Sequence, residues 1–423
     1  MNSFIEFTKK IFNLKQLIIL TLGFSSGFPL LLTGSTFKLW LSQEGVDIKT
    51  IGLMSLVGTA YSFKFLWSPF VDRYYFSFLG RRKTWILLTQ VLLAVALFAI
   101  SLLQPTADSL FLLASLAVAV AFLSATQDIA IDAYRREFLK IEEIGLGSSM
   151  NVYGYRIAML VAGGVLVSLV ADNANLVANS ATGLAGVITW NDFYKISAAI
   201  MVILALISAF IPETKTDSAP KTLVSAVIEP FKEFFLRKEA WLILLFVFLF
   251  KLGDQLTGSL LTPFYKAMGY TNVEIGLITK TYGLFSSLAG LFVGGIALLK
   301  FGIHRCLWVF GILQALSTAA FALVTFTPGA IWSLSFTVIF EDFSSGMGTA
   351  AFTAYIASVT STRFTATQFA LLTSIATLGR TIISGGSGFM QDSLGWAGFF
   401  YAGAILALPG LFLIKGISRQ NET

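Results

Sequence analysis

Long apolar runs separated by short polar segments dominate the chain. Crossing a bilayer as a helix takes about 20 mostly apolar residues. The pattern predicts twelve such helices, at 16–40, 51–71, 84–104, 109–135, 145–170, 194–211, 240–266, 274–298, 304–326, 329–358, 366–388 and 395–415. The first run follows three lysines, as in a signal peptide, but it is too long and lacks a small-residue cleavage site. We therefore expect an all-α polytopic membrane protein embedded in the lipid bilayer.

A polar interruption at 212–239 divides the predicted helices into two groups of six. We expect an N-terminal half at 1–211, a cytoplasmic linker at 212–239 and a C-terminal half at 240–423. Apolar residues recur at helical spacing in the linker, at Val224, Val227, Ile228, Phe231, Phe234 and Phe235. This spacing predicts an amphipathic helix, which either lies on the cytoplasmic membrane face or packs on the ends of the bundle.

Composition and charge support a membrane protein with a defined orientation. The chain is 56% apolar and 12% charged, whereas soluble proteins are about 25% charged. Twenty of the 29 Lys and Arg residues fall on one predicted side, which places that side and both termini in the cytoplasm. The net charge of +6 therefore reflects topology and not nucleic-acid binding. One cysteine, Cys306, and one histidine, His304, exclude an internal disulfide framework and a His-rich zinc site.

The two halves resemble each other in sequence. Gly45–Leu53 matches Gly269–Leu277 at an offset of 224 residues. Further matches are Arg156 with Arg380 at the same offset, and Asp128 with Asp342 at an offset of 214. Duplication of a six-helix unit is typical of secondary transporters, which work by alternating access, and mixed scattered charges disfavour a channel.

Ten ionisable side chains are candidates for membrane depth, and Lys38 lies nearer the end of its span. Each costs about 2.5–3.5 kcal/mol to insert, so such residues usually face a cavity or a partner. They are Lys64, Asp128, Asp132, Arg156, Lys251, Asp254, Lys280, Glu341, Asp342 and Arg380. Asp128 and Asp132 share one helix face. Two carboxylates at such a short distance repel each other, which raises the pKa of at least one of them. We expect this pair to couple transport to protons, unless Asp132 only forms a salt bridge to Arg135 or Arg136.

The other polar residues are candidate ligand contacts. Arg156 either pairs with Asp128 or clamps an anionic ligand through its planar guanidinium. The same alternatives hold for Arg380 with Asp342. Asp254 either binds a ligand or forms a local salt bridge to Lys251. The remaining candidates are Lys64, Lys280, Gln127, Glu341, Tyr134, Tyr155 and Tyr282, of which the tyrosines could stack on sugar rings.

A charged loop between spans two and three contains Asp72-Arg73 and, further on, Gly80-Arg-Arg-Lys83. It resembles the loop signature of the major facilitator superfamily, D-R-x-G-R-R/K, with inserted residues. The resemblance implies a gate formed by Asp72, Arg73, Arg81 and Arg82. Positive-inside topology alone would explain the arginines but not the aspartate.

Three strings resemble the AmpG-type muropeptide permeases of that superfamily: GFSSGFPL at 23–30, FKFLWSPFVDR at 63–73 and SATQDIAIDAYRRE at 124–137. The resemblance implies twelve helices in two six-helix pseudo-repeats. It also implies a bacterial inner-membrane symporter that imports GlcNAc-1,6-anhydro-MurNAc and its peptides for peptidoglycan recycling, an uptake that feeds into β-lactam resistance. The proton gradient supplies the energy, and we expect no cofactor.

Two alternatives stand beside this interpretation. The same branch of the superfamily includes acetyl-CoA transporters with a similar Asp-Ile-x-x-Asp string, so the cargo could be acetyl-CoA, another amphiphilic anion or a drug. An intramembrane enzyme is disfavoured because the sequence lacks a mid-membrane histidine, a metal constellation and a nucleophile motif. We expect a carrier that acts as a monomer and is not an enzyme.

Overall fold

The computed structural model describes residues 13–170, 188–214, 220, 222–384 and 386–418. Every predicted span falls on a helical segment. The first-half segments are α1 (Leu14–Thr33, then Ser35–Gln43), α2 (Ile48–Leu53, Met54–Gly58, Thr59–Phe63, Lys64–Leu66 and Ser68–Arg73), α3 (Arg81–Ile100), α4 (Leu110–Phe138), α5 (Ile144–Leu160, Val161–Val165 and Leu166–Ser168) and α6 (Trp190–Ala209).

The linker contains the predicted amphipathic helix, here α7 (Leu223–Phe235). The second-half segments are α8 (Ala240–Leu249, Leu252–Gly258 and Leu261–Ala267), α9 (Asn272–Leu277, Ile278–Gly283 and Leu284–Phe301), α10 (Ile303–Phe326), α11 (Ile331–Val359), α12 (Thr365–Ser384) and α13 (Ser387–Ser418). The backbone of Gly395 is not helical and kinks α13. The architecture is that of an all-α polytopic membrane protein.

Side-chain caps explain where several helices begin. Thr189 accepts a hydrogen bond from the backbone N–H of Asp192, and the Asp192 carboxylate accepts one in return from the Thr189 backbone. This capping box starts α6 at Trp190, four residues before the predicted start at 194. Thr222 caps α7 in the same manner through Ser225. The predicted spans followed apolarity, whereas the helices follow these caps.

By length and composition alone, nine of the described helices are able to cross a membrane, and α2, α11 and α12 fall short. The reason is visible in two of them. Segment α2 is broken into five short pieces and carries Lys64. Helix α11 carries Glu341 and Asp342 in its first half. All three pack against neighbouring helices of the bundle.

The internal repeat is visible in the backbone. Gly45 and Gly269 both adopt positive φ, at 76° and 86°, before α2 and α9. Gly80 and Gly302 do the same, at 89° and 79°, before α3 and α10. Only glycine takes this conformation at little cost, so the matched glycines fix matched turns.

One expected match is wrong. Helices α4 and α11 both have 29 residues and are related by an offset of 221, not the 214 that would align Asp128 with Asp342. Asp342 therefore lies two helical turns, about 10 Å, closer to the start of its helix than Asp128 does. The two aspartates occupy different depths.

Contacts between the halves gather at one end of the bundle. There α12 packs against α2 and α4, and α5 packs against α9 and α11. We call this end the linker face, because it carries the α2–α3 loop (74–80) and α7. A Cβ added to Gly145 of α5 would lie 2.6 Å from Leu298 of α9, and one on Gly295 would lie 2.7 Å from Ser149. The bundle is therefore closed at the linker face.

Candidate functional site

The first charged cluster joins α2 to α4. The Lys64 ammonium lies 4.0 Å from the Asp128 carboxylate and 3.9 Å from the Asp132 carboxylate. Ser26 of α1 donates a hydrogen bond to Asp128. Lys64 is buried at the start of the short 3₁₀ turn Lys64–Leu66, where α2 is broken. Lys64, and not Arg156, is thus the cation that pairs with Asp128.

Asp132 also forms the salt bridge to Arg135 that was one of the two alternatives for it. Its carboxylate lies 3.2 Å from the Arg135 guanidinium, one helical turn further along α4. Arg135 is fully buried and stacks over the ring of Phe369, at 5.3 Å from its centroid. Because Phe369 belongs to α12, this chain of contacts runs from Lys64 through Asp132 to the second half.

The second charged cluster surrounds Asp254 in α8. Its carboxylate lies 3.2 Å from the Lys251 ammonium, which confirms the local salt bridge. It also accepts hydrogen bonds from the Gln314 amide at 3.2 Å and the Ser345 hydroxyl at 3.3 Å. Glu341 of α11 accepts one from Ser317 at 2.6 Å. Three helices of the second half therefore hold these acids in place.

A cavity of about 530 Å³ lies between the two halves beside this cluster. Ligand sites typically have volumes of about 300–1,000 Å³. The second half lines it with Asp254, Glu341, Asp342 and Ser345, and the first half contributes Arg156. Arg156 of α5 and Asp342 of α11 line this cavity together. Lys64 takes the place beside Asp128 that was one of the two alternatives for Arg156, and Arg156 lies at the cavity instead.

A third cluster closes the linker face around Asp72, at the end of α2. Its buried carboxylate accepts hydrogen bonds from Arg81 at 2.7 Å and Arg82 at 2.8 Å. It also accepts them from the start of α12, namely from the backbone N–H of Ala366 at 3.3 Å and of Thr367 at 2.8 Å, and from the Thr367 hydroxyl at 2.7 Å. The first N–H groups of a helix have no partner within the helix and favour a carboxylate. Asp72 therefore fastens the first half to the second.

Two glutamates that the sequence did not single out complete this cluster. Glu137 binds Arg82, with a distance of 2.9 Å from Nε to Oε1. Glu213 accepts hydrogen bonds from the backbone N–H groups of Arg82 and Lys83, at 2.9 and 3.0 Å. Burial raises the pKa of Glu213 despite these bonds. The three consecutive cations at 81–83 indicate that carboxylates must lie nearby to balance their charge. The sequence does not indicate which carboxylates these are.

Two further contacts involve the predicted gate residues Arg81 and Arg73. Arg81 also donates to the backbone carbonyl of Arg363, at 3.0 Å, and so adds a second bond between the halves. Arg73 is half-buried and stacks over Tyr74 at 5.4 Å. Among the predicted gate residues, the ones that donate hydrogen bonds to Asp72 are therefore Arg81 and Arg82.

Two predicted ligand contacts are core residues. Gln127 is fully buried and donates to the Ser25 hydroxyl at 2.5 Å. Tyr134 is also fully buried, and its hydroxyl donates to the Pro212 carbonyl at 2.7 Å. Neither is among the described residues that line the cavity. Their polarity serves packing, since a buried polar group needs a partner.

The other candidates take different positions. Tyr155 of α5 is half-buried. Lys280 and Tyr282 are exposed in the π-helical turn Ile278–Gly283, and neither is among the described residues that line the cavity. The side chain of Arg380 lies outside the described part of the structure, and so does its expected pairing with Asp342.

Comparison with known proteins agrees with the fold. The sequence model of the Major Facilitator Superfamily matches residues 19–382. The anhydromuropeptide permease of Escherichia coli K12 is 41% identical over 409 residues, covering 96% of this chain and 80% of the relative. The putative transporter AmpG 4 of Rickettsia felis is 36% identical, covering 95% of this chain and 96% of the relative. The crystal structure of the E. coli fucose:proton symporter superposes with a TM-score of 0.71 at 13% identity, covering 96% of this chain and 98% of that one.

The Asp72 cluster predicts how the linker face opens. Asp72→Asn removes the charge between two buried arginines, and breaking such a pair costs about 3–5 kcal/mol. We expect the variant to populate a state open at the linker face. Spin labels at Glu142→Cys and Phe301→Cys, in a Cys306→Ser background, report the separation of the halves and should give longer distances.

Asp192→Asn is the matched control. Asp192 also caps a helix and pairs with a lysine, but it is exposed and lies at the other end of the bundle. Its distance distribution should equal that of the unsubstituted protein. An unchanged distribution in Asp72→Asn would show that this carboxylate does not hold the halves together.

Proposed function

We propose the function of this chain from the family to which it belongs, the AmpG-type anhydromuropeptide permeases of the Major Facilitator Superfamily. In this proposal it imports anhydro-muropeptides across the bacterial inner membrane, together with protons. The observation that carries a transport mechanism is the cavity between the halves, which Arg156 of the first half and Asp342 of the second line together. The cargo is supported by the similarity to the E. coli permease over 96% of the chain.

The cavity has the chemistry that such a cargo needs. A muropeptide carries sugars, amides and carboxylates. A guanidinium binds a carboxylate through two parallel hydrogen bonds, so Arg156 would bind a carboxylate of the cargo. Asp254, Glu341 and Ser345 offer acceptors and a donor for sugar hydroxyls and amides on the opposite wall. The cargo would then bridge the two halves.

The proton site in this proposal is the pair Asp128 and Asp132. With both carboxylates ionised, they hold Lys64 between α2 and α4. A proton on either carboxylate weakens this hold. Segment α2 carries Lys64 within the bundle and Asp72 at the linker face. Protonation would therefore reach the gate through α2 itself.

The transport cycle is rocking of the halves 1–211 and 240–423, joined by the linker 212–239. We assign the linker face and both termini to the cytoplasm, on the distribution of Lys and Arg. The closed linker face then corresponds to a carrier shut towards the cytoplasm. One chain contains both halves, so a monomer suffices, and the proton gradient is the energy source.

Uptake into proteoliposomes tests the proposal. We expect labelled anhydro-muropeptide to accumulate only with an inward proton gradient, and a protonophore to abolish the accumulation. Uptake that ignores the gradient would keep the cargo and reject proton coupling. A folded preparation that takes up no muropeptide would move the assignment to another amphiphilic anion, with acetyl-CoA as the next cargo assayed.

Asp128→Asn separates coupling from binding. The amide resembles a permanently protonated carboxyl, so cargo exchange at equal pH should continue while gradient-driven accumulation is lost. Asp342→Asn is the control, because Asp342 lies at the cavity and not beside Lys64; it should change affinity and keep accumulation. Normal pH-dependent accumulation by Asp128→Asn would remove this residue from the coupling step.

Arg156→Ala tests the cargo clamp. Loss of a charged hydrogen bond to a ligand costs about 1.5–3 kcal/mol, or roughly 10- to 150-fold in affinity. We expect weaker muropeptide binding by calorimetry, with partial rescue by Arg156→Lys, which keeps the charge but not the planar fork. Intact binding with slow turnover would mean that Arg156 acts only between the halves.

A further inference from the structure

The linker helix α7 has apolar side chains on two sides. One side is buried against the bundle through Ala226, Pro230 and Phe234. The other, which we call the outer stripe, consists of Val224, Ile228, Phe231 and Phe235. Val224 is 66% exposed, Ile228 55% and Phe235 43%. Their spacing of three to four residues makes one continuous stripe along the helix.

The outer stripe is continuous with the membrane-facing surface. Phe235 contacts Trp241, with ring centroids 5.5 Å apart. Trp241 is 73% exposed and is the second residue of α8, where the chain enters the membrane. Tryptophan is enriched at the membrane–water interface. The outer stripe therefore begins at the level of the lipid headgroups.

The charges of α7 favour the same neighbour. Glu229 is paired with Arg363 at 2.8 Å, and Glu233 with Arg237 at 3.1 Å. Lys232 and Lys238 are exposed and form no ion pair within the part of the chain that the structure describes. The acidic groups are thus neutralised by protein, whereas two lysines face outwards. Such a helix is attracted to anionic lipid headgroups.

The inner side of α7 touches the gate from both halves. The Pro230 carbonyl accepts a hydrogen bond from Gln368 of α12 at 3.2 Å, and Glu229 binds Arg363 just before α12. Helix α7 also packs against the last piece of α2, Ser68–Arg73, which ends with Asp72 and Arg73. It therefore lies beneath the contact that closes the linker face.

We propose that α7 is an interfacial membrane helix, whose outer stripe enters the cytoplasmic leaflet and whose inner side braces the closed gate. Its occupant is lipid with anionic headgroups, not a second protein. The inference relies on the cytoplasmic assignment of the linker face and is independent of the cargo. It follows that the lipid composition of that leaflet biases the gate.

Spin-label accessibility in nanodiscs tests this placement. Labels at Ile228→Cys and Phe235→Cys, in a Cys306→Ser background, should collide more often with oxygen, which concentrates in lipid, than with a water-soluble nickel chelate. Glu142→Cys, which is exposed in the loop between α4 and α5 and lies outside α7, is the control and should show the reverse order. Nickel-accessible labels on the stripe would reject the proposal, and so would labels shielded from both reagents, because protein would then cover the stripe.

The gate provides a second, independent readout. In the double-label variant Glu142→Cys/Phe301→Cys, adding phosphatidylglycerol to phosphatidylcholine nanodiscs should shift the distances towards the closed state. Lys232→Glu with Lys238→Glu should abolish this shift. A lipid-independent distribution would overturn the coupling to the gate. Both measurements omit cargo, so their outcome is separate from that of the uptake assay.

Discussion

The closed state of this transporter depends on one buried carboxylate, that of Asp72, which accepts hydrogen bonds from both halves. Asp72 ends α2, yet it satisfies the free N–H groups at the start of α12 while two arginines of its own half balance its charge. A buried charge with a missing partner is strongly unfavourable. Separation of the halves therefore requires that water or another group replace the α12 contacts at Asp72. This requirement makes the gate a two-state element.

Charged contacts connect the other working parts to this gate. Lys64 lies on α2, eight residues before Asp72, and Asp132 reaches α12 through Arg135 and Phe369. The cavity lies between the halves, and Arg156 lines it from the first half. A change of charge in either place alters the balance that holds the halves together, which is the physical basis for coupling two ligands through one motion.

Local sequence patterns predicted the twelve spans, the amphipathic linker helix and the polarity of the gate, because each is written in consecutive residues. The sequence did not predict which residues pair across the bundle. Arg156 was expected beside Asp128, yet Lys64 occupies that place, since helix order in a sequence does not specify which faces meet. Gln127 and Tyr134 had the right chemistry for a ligand but are directed into the core. The depth of Asp342 was also predicted wrongly, because it lies two helical turns closer to the start of α11 than Asp128 lies to the start of α4.

Segment α2 has a consequence for biogenesis. It is broken, carries a buried lysine and falls short of the apolarity of an independent span. Its counter-charges, Asp128 and Asp132, leave the ribosome more than sixty residues later than Lys64. During synthesis α2 has no partner for its ammonium group, so lipid is a poor environment for it until α4 has emerged. We therefore expect α2 to enter the lipid stably only after α4 has emerged and paired with Lys64.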